Sequence, residues 1–153
     1  MNGERDYMDK LDIVTDESGN RVVLLPEIIF SNKQNINWDD VEDYLGKYVG
    51  ELIEIAETRD IIYIGNKFPD EYGGSSYTRK TKGARAKAKA NAAQGIREMV
   101  EIATDKVYRE NHKEKHSEDA HNGWFYYVTR FAIPLYNNEK KTGEYNVYSA
   151  CLV

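Results

Sequence analysis

Apolar residues recur along this chain with two different periods, and the changes of period mark its elements. In residues 11–25, LDIVTDESGNRVVLL, two short β-rich runs flank the turn formers DESGN. That pattern predicts a β-hairpin, with Gly19 and Asn20 available for positive φ and Pro26 limiting the second strand. Residues 31–36 are polar and read as loop. From Asn37 the period lengthens: Val41, Tyr44, Leu45, Tyr48, Val49, Leu52, Ile53 and Ala56 share one stripe at three-and-four spacing. With Asn37 as cap and Asp39 and Asp40 in the first turn, this predicts a helix over about 37–58. IIYIG at 61–65 reads as a short strand, and 66–83 as the longest irregular stretch.

A second helix is predicted over 84–110. Its first half is Ala-rich, and its second half carries a stripe at Ala92, Ile96, Met99, Val100, Ala103 and Val107. Gly95 is its weak spot. A polar connection follows, and then two long β runs close the chain. GWFYYVTRFAIPLY and EYNVYSACLV are joined by a turn containing Asn137, Asn138 and Gly143, which predicts a C-terminal antiparallel hairpin over 123–153. The second run reaches the last residue, so either it ends the domain or a further strand follows. The order of elements predicts one α+β domain over 1–153, an antiparallel β-sheet with two long helices packed on it and an N-terminal β-hairpin.

Composition narrows the class. At 153 residues, with 41% hydrophobic and 31% charged residues, the chain is long enough to bury a core without staples. The single cysteine, Cys151, excludes an internal disulfide and a multi-cysteine zinc site, and reads as a small buried hydrophobe. The polar start MNGERDYMDK is unlike a signal peptide, and no run approaches a membrane span, so a reducing cytoplasm is the expected compartment. Tyrosine is abundant, with 12 residues against 4 Phe and 2 Trp. It suits a core and a wet binding face equally.

Charge changes the picture most. Between Tyr72 and Arg97 there is no acid, yet Arg79, Lys80, Lys82, Arg85, Lys87, Lys89 and Arg97 all fall there. The net charge is −9 over 1–60, +6 over 61–97 and −2 over 98–153. A basic island in an acidic chain points to an anion, most simply phosphate. Gly83 precedes the second helix, whose first N–H groups and dipole favour an anion, while Ser75, Ser76, Thr78 and Thr81 add neutral donors. The competing reading is a solvated helix face. P-loop spacing is absent and no cofactor is expected.

Three histidines complete the candidates. His112 and His116 are four apart, but with Glu118 or Asp119 they lack HExxH spacing, so no metal is expected. His121, just before the aromatic strand, fits a general base or a solvated loop histidine. In that strand Phe125, Tyr127, Thr129, Phe131 and Ile133 make the better core face. Tyr126 and Arg130 then look outward together, either as a cross-strand packing pair or as a stacking and phosphate-binding pair beside the basic helix.

The runs IYIGNKFPDEY, KTKGARAKAKANAAQGIREMVEIA, HNGWFYYVTRFAIPLY and YNVYSACLV resemble chains from phages and conjugative elements of Firmicutes. Those chains look like the barnase/EndoU/colicin/RelE-like nuclease superfamily. The resemblance covers roughly residues 10–153 and implies a compact sheet whose exposed face binds RNA in active members, which cleave without metal. The family pattern continues with a further strand. Phosphodiester transfer needs a base, an acid and cations. The residues with that chemistry here are His121 as base or acid, Lys82 and Arg79 on phosphate, and Tyr126 for stacking or proton transfer. Lys80, Arg85, Lys87, Lys89 and Arg130 would bind the nucleic acid.

Two functions follow. One is a nuclease-like domain of a mobile genetic element that cleaves RNA without metal. The other is a non-catalytic accessory, or counter-defence, module that holds nucleic acid or a protein. RNA or another phosphate ligand is the expected partner, with a protein partner as the alternative. The open last strand invites edge pairing and a homodimer.

Overall fold

The computed structural model describes residues 10–31, 35–110 and 123–153. Its centre is a strand, β6 (Trp124–Asn137), from which the main sheet is built. β7 (Lys140–Leu152) pairs antiparallel along one side of it. On the other side β5 (Thr104–Arg109) pairs antiparallel with the first half, and β2 (Arg21–Leu24) pairs parallel with the second half. β1 (Ile13–Thr15) completes the N-terminal hairpin with β2. The fold is α+β as the sequence predicts, but the sheet is mixed, because β2 runs parallel to β6.

The two predicted hairpins form. Asp16 Oδ1 accepts from the N–H groups of Ser18 and Asn20, and Gly19 takes the positive φ of the first turn. The second turns through Asn138 and Glu139, both at positive φ, the backbone that a two-residue hairpin connection requires. Pro134 sits where the β6–β7 register shifts, a position that tolerates a missing donor.

The first predicted helix is shorter than its stripe. α1 (Trp38–Leu45) starts as expected, with the Asn37 side chain accepting from the N–H groups of Asp39 and Asp40. A 3-10 turn, Gly46–Tyr48, follows, and Gly50 at φ 92° turns the chain out of the helix. Leu52–Glu54 is strand β3, paired with β4 (Ile61–Tyr63) as a separate two-stranded sheet. Leu52 and Glu54 face solvent while Ile53 and Ile55 are buried, so the same apolar residues satisfied a period of two.

The second predicted helix also divides. α4 (Ala84–Ala92) passes through a 3-10 turn, Ala93–Gly95, into α5 (Ile96–Glu101). Residues Thr104–Arg109, expected as its last turns, are instead strand β5 on β6, with an irregular register where Asp105 takes φ 57°. The stretch expected to be irregular holds two short helices, α2 (Phe68–Gly73) and α3 (Ser76–Lys80).

These elements stack in three layers, with α4 in the middle. Its Ala88 and Ala92 pack towards the sheet with Val23, Leu25, Met99, Ile102, Phe131 and Ile133. Its Ala86 and Ala90 pack the other way, with α1, β3 and β4 through Trp38, Val41, Leu45, Ile53 and Ile64. Alanine is required because both neighbours approach one helix closely. Gly95 serves the same end, since a Cβ there would meet Leu25, Leu11 and Val23 at 3.2–3.3 Å.

One polar side chain is fully enclosed in this helix. Asn91 Oδ1 accepts from the N–H groups of Ile29 (2.8 Å) and Phe30 (3.1 Å), and Nδ2 donates to the carbonyls of Phe30 (2.9 Å) and Lys87 (2.8 Å). It ties the segment after β2 to the helix, satisfying backbone groups that no strand pairs. Asn91→Leu should therefore lower the unfolding free energy by about 2–4 kcal/mol, because several buried groups lose their partner at once. Urea denaturation measures it; a loss below about 0.5 kcal/mol would show that the segment finds other partners.

Candidate nucleic-acid interface

The basic island is presented by α3, the connection 81–83 and α4. Ser75 caps α3, its Oγ accepting from Thr78 N–H. Gly83 then takes φ 77° and ψ −149°, a conformation side chains resist, and opens α4. No side chain caps α4, so its first N–H groups are left for solvent or a ligand.

The fold sorts the cations into two sets. Arg79 donates to Asp39 (3.0 Å), Glu42 (2.6 Å) and the Gly73 carbonyl (3.0 Å), and the two carboxylates raise its pKa further. It fastens α3 to α1 and α2, so the phosphate-binding role expected of it meets two carboxylates already in place. Lys89 is half-buried. Its Nζ donates to Thr78 Oγ1 (2.9 Å) and lies 5.1 Å from the Tyr72 ring, and burial lowers its pKa. Arg97 pairs with Glu51. Lys80, Lys82, Arg85 and Lys87 are different: all four are exposed, and none of their side chains has an ion pair or hydrogen bond to a described residue. Just before them in the chain stands Tyr77, 71% exposed on α3. Sequence reasoning passed over this ring, although an aromatic inside the polar run SSYTRK has no apolar neighbour to pack with.

The outward pair on β6 is where its alternation puts it. Tyr127, Thr129, Phe131 and Ile133 are buried, and Tyr126 and Arg130 lie on the other face. Phe125, placed on the core face, is nonetheless half exposed and packs on Tyr108. Arg109 lies 5.8 Å from the Tyr126 ring, and Arg130 has no ion pair among the described residues. α4 packs on the inner face, so the strand separates Tyr126 and Arg130 from the basic helix they were expected to flank. His121, His112 and His116 lie outside the described residues. Among the described residues no group of three or more His, Cys, Asp and Glu is placed to hold a metal ion, and no helix is long and apolar enough to cross a membrane. Cys151, expected to be buried, is exposed on β7.

A second cluster went unseen in the sequence. Asp60 Oδ2 accepts from Lys106 Nζ (2.7 Å), Tyr127 Oη (2.7 Å) and Thr58 Oγ1 (2.9 Å). These bonds, Lys106 first, hold its carboxyl at about 2. Burial and the neighbouring carboxylate push the Tyr127 hydroxyl up, so it stays a donor at neutral pH. Lys106 also lies 4.4 Å from the Phe125 ring. Lys106 and Tyr127 come from 46 and 67 residues away, which leaves no local signature. The cluster joins the β3–β4 hairpin to β5 and β6.

No family model, no curated protein and no solved structure matches this chain.

The Asp60 cluster gives a pH dependence. The folded pKa is depressed, so the stabilisation is present above the ordinary carboxylate pKa of roughly 4 and is lost as pH falls towards about 2. Asp60→Asn should be less stable than the parent at neutral pH, and the two should converge on acidification. Thermal melts of both proteins across that window test this, and parallel curves would show that Asp60 is not the titrating group.

Proposed function

We propose that the protein is a nucleic-acid-binding module that holds the phosphodiester backbone of RNA on α3 and the start of α4. The observation that carries this reading is that Lys80, Lys82, Arg85 and Lys87, which follow the exposed Tyr77 along α3 and the start of α4, are all exposed and their side chains have no ion pair or hydrogen bond among the described residues. Lysine and arginine side chains that neutralise phosphates release the counterions condensed on the nucleic acid. An aromatic ring beside them offers a stacking surface to any unpaired base. A net charge of −5 confines the attraction to this patch and disfavours coating of nucleic acid by the whole surface.

A metal-independent ribonuclease, as the resemblance to nucleases of mobile elements implies, is the second reading. It is favoured by Lys89, whose half-buried amine has a lowered pKa and donates to the Thr78 hydroxyl of α3. In that reading Lys82 stabilises charge on the phosphorane and His121 moves a proton.

Fluorescence anisotropy with a labelled single-stranded RNA tests the first reading. Four phosphate contacts predict that affinity falls about 50-fold between about 50 and 200 mM salt. Replacing the four cations by Gln should remove most of that dependence, and Tyr77→Ala should weaken binding about tenfold or more. Salt-independent binding, or unchanged affinity in the four-Gln variant, would exclude this patch as the contact surface. For the second reading, end-labelled tRNA is incubated with the protein in EDTA beside Lys82→Ala and His121→Ala. Discrete products lost in the variants establish cleavage, and intact RNA throughout leaves binding alone.

A further inference from the structure

Strand β7 is built in two unlike halves. Near the hairpin turn it carries Lys140, Lys141 and Glu144, and Gly143 at φ 89° beside an irregular register. Charges and irregularities of this kind are how proteins protect an open sheet edge. From Tyr145 to Val153 the sequence is YNVYSACLV, with no charge, no Pro and no Gly. That half is regularly paired to β6 from Tyr145 opposite Pro134 to Leu152 opposite Tyr127. Among the described residues no strand pairs with its other side. Among the described residues that half therefore presents a row of backbone donors and acceptors without the usual protection.

Its side chains add to this. Tyr145, Val147, Ser149, Cys151 and Val153 are exposed on one face, Val147 at 59%. Tyr148, Ala150 and Leu152 lie on the core face but are only partly buried, with Tyr148 stacked on Phe131 at 5.5 Å. Both faces thus carry apolar area that ends at an open edge.

We propose that a second copy of this chain pairs antiparallel with β7, about a two-fold axis at Ser149, to make one continuous sheet across a dimer. The segment is complementary to itself in that register. On the solvent face Val147 stands opposite the partner's Cys151, and Tyr145 opposite the partner's Val153. On the core face Tyr148 stands opposite the partner's Ala150, so each large ring meets a smaller side chain. The paired segment, Tyr145 to Val153, carries no charged side chain, so no like charges meet within it. A two-fold pairing uses the same half of β7 in both copies and closes.

Light scattering on the eluting protein at about 100 µM should give twice the 17.7 kDa of one chain. Val147→Lys, at an exposed position that leaves the fold intact by circular dichroism, should give the single-chain mass. Under oxidising conditions Val147→Cys should form a covalent dimer through the partner's Cys151, while the parent, whose Cys151 faces a valine, should not. A parent that stays monomeric at that concentration overturns the proposal, as does a dimer that survives Val147→Lys. Crosslinking of the parent through Cys151 would overturn the register.

Discussion

The burial of α4 on two opposite sides is the constraint on which the rest of this structure depends. A helix with neighbours on both flanks has room for methyl groups and little else, and Ala86, Ala88, Ala90 and Ala92 meet that condition. Asn91 is the exception: it is enclosed because its hydrogen-bonding capacity is used, three bonds holding Ile29 and Phe30 in the segment after β2 and one returning to the Lys87 carbonyl of its own helix. A buried amide with those partners stabilises, whereas one without them would cost a desolvation penalty. The helix thus joins the sheet, the loop after β2 and the layer of α1 and the β3–β4 hairpin.

The same constraint produces the basic surface. With two flanks taken by the alanines, Arg85 and Lys87 near the start of α4 stay in solvent, and Lys89, further along the helix, is drawn against Tyr72 and Thr78. Arg79 anchors α3 to acidic groups of α1, which orients Tyr77 and Lys80 outward. Some cations of the island are therefore fasteners that present the others. A charge paired with carboxylates or desolvated against a ring offers less to an incoming phosphate than one in water without a partner.

Much of the frame was legible in the sequence. The two hairpins were marked by alternation and by turn residues, and Asn37 caps α1 as its chemistry demands. The errors have physical reasons. ELIEI fits helix and strand spacing alike, and Gly50 together with pairing to IIYI decides in favour of strand. TDKVYR continues a helical stripe, yet β6 offers it backbone partners. Parallel pairing of β2 with β6 joins segments about a hundred residues apart, which no local pattern can announce. For the site, the island was plain from charge alone, and the outward direction of Tyr126 and Arg130 was plain from alternation. The division of the cations was not, because Arg79 meets Asp39 and Glu42 across 40 and 37 residues.

The central claim is that the packing of α3 and α4 leaves Lys80, Lys82, Arg85 and Lys87 exposed with no side-chain partner among the described residues, and that nucleic acid docks on this segment. Amide chemical-shift mapping of the labelled protein during titration with a short single-stranded RNA tests it most directly. The account predicts that the largest changes fall between Tyr77 and Lys87 and are lost in the variant with Lys80, Lys82, Arg85 and Lys87 replaced by Gln. Changes confined to the outer face of β6 and β7, around Tyr126 and Arg130, would contradict it and place the ligand on the opposite side of the sheet.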